Sequence, residues 1–422
     1  MSTQLTQPTE RTARNTSQPD ASKHRPLRVA LLTNENTPYR LPLYSALGAT
    51  PDWQFKVFTC IDREYNRLWD IAKQVDFSTK KSFSLSYSRK QRVSGPREYT
   101  TRRQVHFPVG VLPDLLKFRP DVVISGEFGA RTLLAYISSI LSGHRLIIHS
   151  ESTPHTERNP SRKQRALRRL LRARAEAYIC NGRQSRQFLE DLGTRSHDIF
   201  EVGQAIDLES FVLAEPDFHR NLQRDMWGIS GVCYLYVGHL IFAKGLEQLL
   251  QAWTTFCRNE GTDATLLLAG DGQDRIQLEE QINQAGLKNV KLLGFIPREQ
   301  LAKVYAAADV FVFPTLQDCF SLAFEEAMAA SLPVIGSIYG GESELVVSGE
   351  NGWVVDPLCH DDLAENLHLA WQMQDELPRM GERSRAIVSR MGINLVADRI
   401  RQVVSYVSDQ PSRTRRIKPE MH

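Results

Sequence analysis

The sequence predicts an α/β protein built from two doubly wound, Rossmann-like parallel-sheet domains facing a central cleft. Three observations lead there. Short apolar runs alternate with amphipathic stretches from Leu27 to about Trp371, the rhythm of parallel strands joined by helices. Several runs, VFVFP and LPVIG among them, lack the polar alternation of half-exposed strands, so both their faces are expected to be covered. And 422 residues are long for one domain and ample for two.

In chain order, RVALLT, FKVFT, DVVIS, RLIIHS and AYIC read as strands of the first sheet. Helices are expected near PLYSALG, VLPDLLKF, LLAYISSIL, RALRRLLRARAEA and RQFLEDLG. VCYLYVG, ATLLLAG, VKLLGF, VFVFP and PVIGS read as the second sheet, with helices near GLEQLLQAW, DRIQLEEQINQAG, REQLAKVYAAA and LAFEEAMAA. A boundary near Asp207–Leu213 gives domains 27–207 and 208–392. The polar stretches 1–26 and 409–422 read as disordered tails, the first lacking the apolar core of a secretion signal.

Composition narrows the class. A net charge of +3 is close to balance and does not argue for nucleic acid. No run of about 18 apolar residues suggests a membrane span. The six cysteines (Cys60, Cys180, Cys233, Cys257, Cys319, Cys359) show no C-x-x-C or C-x-x-H spacing and read as reduced, buried thiols of a cytosolic protein.

The densest chemistry lies in PTLQDCFSLAFEEAMAASLPVIGS, from Pro314 to Ser337. It reads as strand end, tight loop, helix and strand. Asp318 stands in the loop and Glu326 eight positions later, about two turns along. The carboxyl edge of a parallel sheet is where open α/β folds bind ligands. A helix opening near Ser321 turns free N–H groups toward an anion. Two acids beside an anion hole suit a sugar carried on a diphosphate. Upstream, the loop after VCYLYVG carries Gly238, His239, Lys244 and Gly245. A lysine there adds a full charge against a diphosphate; taken alone it reads better as a solvated loop lysine before a helix, and the acidic pair downstream turns the reading toward phosphate. The GDG at 270–272 is not a dinucleotide fingerprint, because Arg275 occupies the sixth position of G-x-G-x-x-G. Gly270 is better read as a strand-to-helix turn near a nucleotide, and Gly294 and Phe295 as bordering a base or serving as turn and core.

These segments resemble family 4 retaining glycosyltransferases (glycosyl transferases group 1), which have the GT-B fold. Asp318 to Glu326 resembles the family's E-x7-E signature, VGHLIFAKGLEQLL its phosphate-binding strand, loop and helix, and LLLAGDGQDR, GFIPREQLAKVYAAADVFVFPT and GGESELVVSGENGWVVDP follow in family order. The similarity covers roughly 27–405, is specific over 232–357 and weak over 35–120. It implies that the second domain binds the nucleotide sugar, the first binds the acceptor, and a last helix near 393–408 crosses back onto the first domain. Glu326 matches the acid that holds the ribose hydroxyls, and Asp318 the acid that meets the donor sugar, shortened by one methylene. Phe320, Ser321 and Leu322 complete the loop and helix start of the donor site, with Ser321 where glycine is usual. His239 stands where the family carries arginine, so one fixed cation is lost. No D-x-D motif is present, and the resemblance implies no cofactor or metal.

In the first domain, TNENTPYRLPLY resembles the P-Y-R opening loop of a subset of the family, making Asn34, Tyr39 and Arg40 acceptor-facing candidates; the same stretch also reads as a helix-capping turn. GEFGAR, after DVVIS, puts Gly126 where relatives place a histidine, and leaves Glu127 as the candidate acid–base group. His149 and Glu151 end the next strand and face the same cleft if the sheet is regular.

The run 161–176 is strongly basic, with Leu167, Leu170, Leu171 and Arg174 on one core-facing stripe and Arg162, Lys163, Arg165, Arg168, Arg169 and Arg172 mostly off it. It reads as an ordinary solvated face or as a contact for anionic lipid headgroups. The expected function is transfer of a hexose from a UDP- or GDP-sugar to a saccharide or lipid-linked saccharide, without a metal, in a cytoplasmic protein peripheral to the membrane and engaged in cell-surface polysaccharide synthesis. A nucleotide-sugar epimerase, a phosphorylase and a non-catalytic saccharide- or partner-binding relative stay open.

Overall fold

A computed structural model describes residues 25–62, 75–93, 99–258 and 263–411. Most of both tails read from the sequence therefore lies outside the described residues. The strands are β1 (Leu27–Thr33), β2 (Trp53–Thr59), β3 (Ser78–Lys81), β4 (Leu85–Val93), β5 (Tyr99–Phe107), β6 (Val122–Gly126), β7 (Arg145–Ser150), β8 (Ala177–Cys180) and β9 (Ile199–Glu201), then β10 (Val232–Val237), β11 (Ala264–Ala269), β12 (Val290–Gly294), β13 (Val310–Phe313), β14 (Val334–Ser337) and β15 (Gly352–Val355).

They form a sheet ordered β3-β2-β1-β6-β7-β8-β9 and a second ordered β12-β11-β10-β13-β14-β15, with every neighbouring pair parallel. Each order reverses once, between β1 and β6 and between β10 and β13. These are the switch points at which the loops leaving adjacent strands diverge and open a crevice. The central strands β10, β11, β13 and β14 are buried along their length, as their unbroken apolar runs require.

The last helix, Ile393–Asp409, places Val396, Ile400, Val403 and Val404 in the core of the first sheet. Several elements go beyond the sequence reading. β3, β9 and β15 are short strands at or near sheet edges, and helices form at Pro216–Trp227, His360–Gln372 and Leu377–Val388. β4 and β5 make a separate antiparallel hairpin whose register sets Arg89 opposite Arg103 and Lys90 opposite Arg102.

The basic helix spans Arg162–Arg172 and starts with a capping box between Ser161 and Gln164. Its stripe differs from the expected one. Arg168 is buried against Glu157 and over the Phe188 ring, whereas Leu170 is 43% exposed. All six cysteines are free thiols, but only Cys60, Cys180 and Cys233 are buried as expected; Cys257 and Cys319 are half-buried and Cys359 is exposed.

Candidate active site

The second switch point brings Lys244 to Asp318. After β10 the chain makes a tight 3-10 turn, Phe242–Lys244, and Gly245 follows at φ +69°. A Cβ on Gly245 would stand 1.9 Å from the Pro314 carbonyl, so glycine lets this loop press against the end of β13. Leu316 N–H and Thr315 Oγ1 both bond the Ala243 carbonyl, at 2.8 and 3.1 Å, tying the two loops together. Lys244 Nζ then lies 2.5 Å from Asp318 Oδ2 and 5.2 Å from the centre of the Phe313 ring. Both partners are mostly shielded, with side chains 16% and 19% exposed.

Ser321 is the N-cap of the helix Leu322–Ala329, and it and Phe320 are buried while Leu322 is half-buried. Phe324 anchors this helix on Phe311 and Phe313. On the same helix Glu326 accepts from Arg298 and from the Tyr305 hydroxyl, each at 3.1 Å. Burial raises its carboxyl, with Arg298 opposing. Glu326 is thus anchored to the Arg298–Ala307 helix, while Asp318 is held by the β10 loop. Gly238 and Gly270 stack loop on loop: a Cβ on Gly270, at φ +143°, would meet the Gly238 carbonyl at 1.8 Å. The His239 carbonyl accepts from Tyr236 at 2.9 Å. Gly294 accepts from Gly270 N–H at 2.8 Å, and Phe295 beside it is 42% exposed.

Three groups at this end escaped the sequence reading: Arg298, Glu325 and Glu342. Arg298 opens a helix directly after GFIP, which was its only signal. Glu325 and Glu342 have no exposed surface, and both Glu325 oxygens lack a partner. Burial, then Glu342, then Glu326 push Glu325 well above the usual carboxylate range. Burial and the Asp318 carboxylate push Glu342 up to about 8.

The first switch point gathers the other candidates. Arg40 Nη2 bonds Glu151 Oε1 at 2.5 Å. Burial pushes Glu151 up, but Arg40 and then His149 outweigh it and leave the carboxyl below its ordinary value. His149 Nε2 lies 3.2 Å from Asn181 Oδ1, and burial lowers its pKa. Arg131 bonds Asn34 Oδ1, and also the Gly126 carbonyl at 2.8 Å. A cavity of about 80 Å³ is lined by Tyr39, Arg40, Arg131, His149, Glu151 and Asn181. Arg131 and Asn181 were not singled out in the sequence.

Glu127 has φ +59°. Its carboxylate accepts from the Glu151 N–H at 2.7 Å and from the Ser152 and Ser150 hydroxyls at 3.0 and 3.2 Å. Burial raises its pKa in spite of these bonds. The geometry makes it a clamp on the loop after β7.

The two ends meet. His155 Nε2 donates to the Leu316 carbonyl at 2.9 Å, and its ring stacks on Tyr339 at 4.9 Å. Gln184 Nε2 reaches the Gly340 carbonyl at 3.3 Å. Cys319, next to Asp318, is close enough to Glu127 and Glu151 for both to raise its thiol, after burial and Asp318. A cation–acid pair on one sheet thus faces an acid-rich edge of the other across one cleft. Such a place can hold an anionic leaving group on one side and a hydroxylated partner on the other.

The paired sheets and cleft define a GT-B glycosyltransferase fold. Among solved structures, Anabaena HepE in complex with UDP and glucose matches with a TM-score of 0.71 over 90% of this chain and 100% of that one, at 18% identity. Sucrose-phosphate synthase from Thermosynechococcus elongatus matches with a TM-score of 0.70 over 90% and 99%, at 19% identity.

Residues 231–387 match the family model of glycosyl transferases group 1. An uncharacterized glycosyltransferase of Methanocaldococcus jannaschii is 38% identical over 131 residues, 31% of this chain and 33% of the relative. The GDP-mannose-dependent alpha-mannosyltransferase of Corynebacterium glutamicum is 31% identical over 183 residues, 42% and 40% of the two chains. The alignments to these and a third curated relative span 33% to 48% of the relatives' lengths.

Proposed function

We propose that the protein is a retaining, metal-independent hexosyltransferase using a UDP- or GDP-sugar and a saccharide or lipid-linked saccharide acceptor. The observation that carries this reading is the Lys244–Asp318 pair at the second switch point, beside the start of the helix Leu322–Ala329. Lys244 offers the diphosphate a full positive charge, and the helix start offers amide donors. Asp318 is released to meet hydroxyls of the sugar, and Glu326, oriented by Arg298, meets those of the ribose. Arg40, Glu151 and His149 face the acceptor.

In the step proposed, the bond from the anomeric carbon to the diphosphate oxygen breaks and the oxygen leaves with the electron pair. The acceptor hydroxyl oxygen bonds that carbon from the same face, and its proton passes to the departing phosphate. This route needs no protein nucleophile, which agrees with Glu127 being engaged by three donors.

The exposed Arg162, Lys163, Arg165 and Arg169, with Leu170, would suit an anionic membrane surface and support the reading of a cytoplasmic, membrane-peripheral enzyme of cell-surface polysaccharide synthesis. Nucleotide release from UDP- and GDP-sugars in the presence of saccharide acceptors tests the reaction. Release that requires an acceptor supports transfer, and conversion of the sugar without one supports the epimerase reading. Binding without turnover supports a non-catalytic relative.

A further inference from the structure

Glu342 has a place that the proposed reaction leaves unexplained. It follows β14 in a short 3-10 turn, Gly341–Leu345, and has no exposed surface. Its Oε2 accepts from the Ser321 N–H at 3.3 Å, at the N-cap of the helix Leu322–Ala329. Its Oε1 is buried without a partner. The side chain folds over Gly340, where a Cβ would stand 2.1 Å from Oε1, so the chain leaves room for this carboxyl and for little else.

The charged groups acting on it come from separate elements: Asp318 from the loop after β13, Lys244 from the loop after β10, and Glu325 from the helix. Asp318 and Glu342 both feel the charge of Lys244, and Asp318 already takes it.

We propose that Glu342 competes with the donor diphosphate for the start of this helix and admits it only as a neutral carboxyl. The inference rests on the nucleotide-sugar reading. A carboxylate bonded to Ser321 N–H puts a negative charge where the phosphate oxygens would come, beside Lys244. A neutral carboxyl removes that charge, and its O–H becomes a donor able to turn toward a phosphate oxygen. Burial and the neighbouring acids keep the proton on Glu342 at neutral pH. Ionisation sets an alkaline limit to donor binding and makes Glu342 a positioning residue of the donor site.

Calorimetric titration of the full chain with UDP and with GDP between pH 7 and 9.5 tests this. Affinity is expected to hold near neutrality and then fall by roughly tenfold per pH unit, with close to one proton taken up per nucleotide bound. Uptake is read from the dependence of the heat on the buffer. In Glu342→Gln both the uptake and the extra alkaline loss should vanish. Equal pH profiles in wild type and variant, or binding without uptake above pH 8.5, would overturn the proposal. If Glu342→Gln does not fold, uptake by the wild type decides alone. Failure of either nucleotide to bind at any pH would instead remove the donor reading beneath it.

Discussion

Lys244 and Asp318 lie 74 positions apart on loops that leave adjacent strands on either side of the point where the strand order reverses, and their side chains meet at 2.5 Å. The sheet topology, not local sequence, creates this contact. Each partner holds the other in a mostly shielded place, so a ligand that takes the lysine must offer at least as much negative charge. Asp318→Asn should therefore leave nucleotide affinity within a few-fold of wild type while lowering sugar transfer by roughly tenfold to a hundredfold, since it keeps a hydrogen-bonding group and loses the charge. Calorimetry with the nucleotide and turnover with its sugar separate the two effects.

On the acceptor side, Arg40→Ala should raise the acceptor KM and leave donor affinity unchanged, because Arg40 meets Glu151 at the other switch point. Donor affinity falling in parallel would place Arg40 in a different role.

The buried Glu325 gives a pH signature in stability. Its folded pKa is raised, so above about 4.5 folding takes up a proton. This group's contribution is fully present below the unfolded value and declines as pH rises, by up to about 1.4 kcal/mol per pH unit while the folded form keeps its proton. Glu325→Gln should flatten the dependence of Tm on pH between 5 and 8 and stabilise the protein at the upper end. A slope identical to wild type would show that Glu325 is ionised in the fold.

The sequence was legible where burial on both faces of a strand leaves an unbroken apolar run, as in β10, β11, β13 and β14. It was silent where pairing alone makes the strand. β3 is STKK, exposed at every position and held to β2 by register, and the β4–β5 hairpin is too polar to signal a buried face. In the site, the spacing of Asp318 and Glu326 and the loop position of Lys244 could be read directly. The positions of Glu325 and Glu342 could not, because an acid near a helix start ordinarily faces water and only tertiary packing closes these two off. In the basic helix the leucine stripe misled, since Arg168 reaches inward to Glu157 while Leu170 stays outside.

The helix that carries Ser321 and Glu326 depends on one ring. Phe324 is fully buried between Phe311, Phe313 and Gly336. Phe324→Ala should cost about 3–5 kcal/mol of stability by chemical denaturation. It should weaken nucleotide binding as well, because the helix start moves with its anchor. Stability within about 1 kcal/mol of wild type would contradict this packing account.

The most direct measurement is a binding screen of UDP- and GDP-sugars against the wild type and Lys244→Ala. The predicted result is that at least one donor binds the wild type and that the variant, still folded, loses roughly tenfold or more of that affinity. No donor binding to the wild type, or equal binding by Lys244→Ala, would contradict the account.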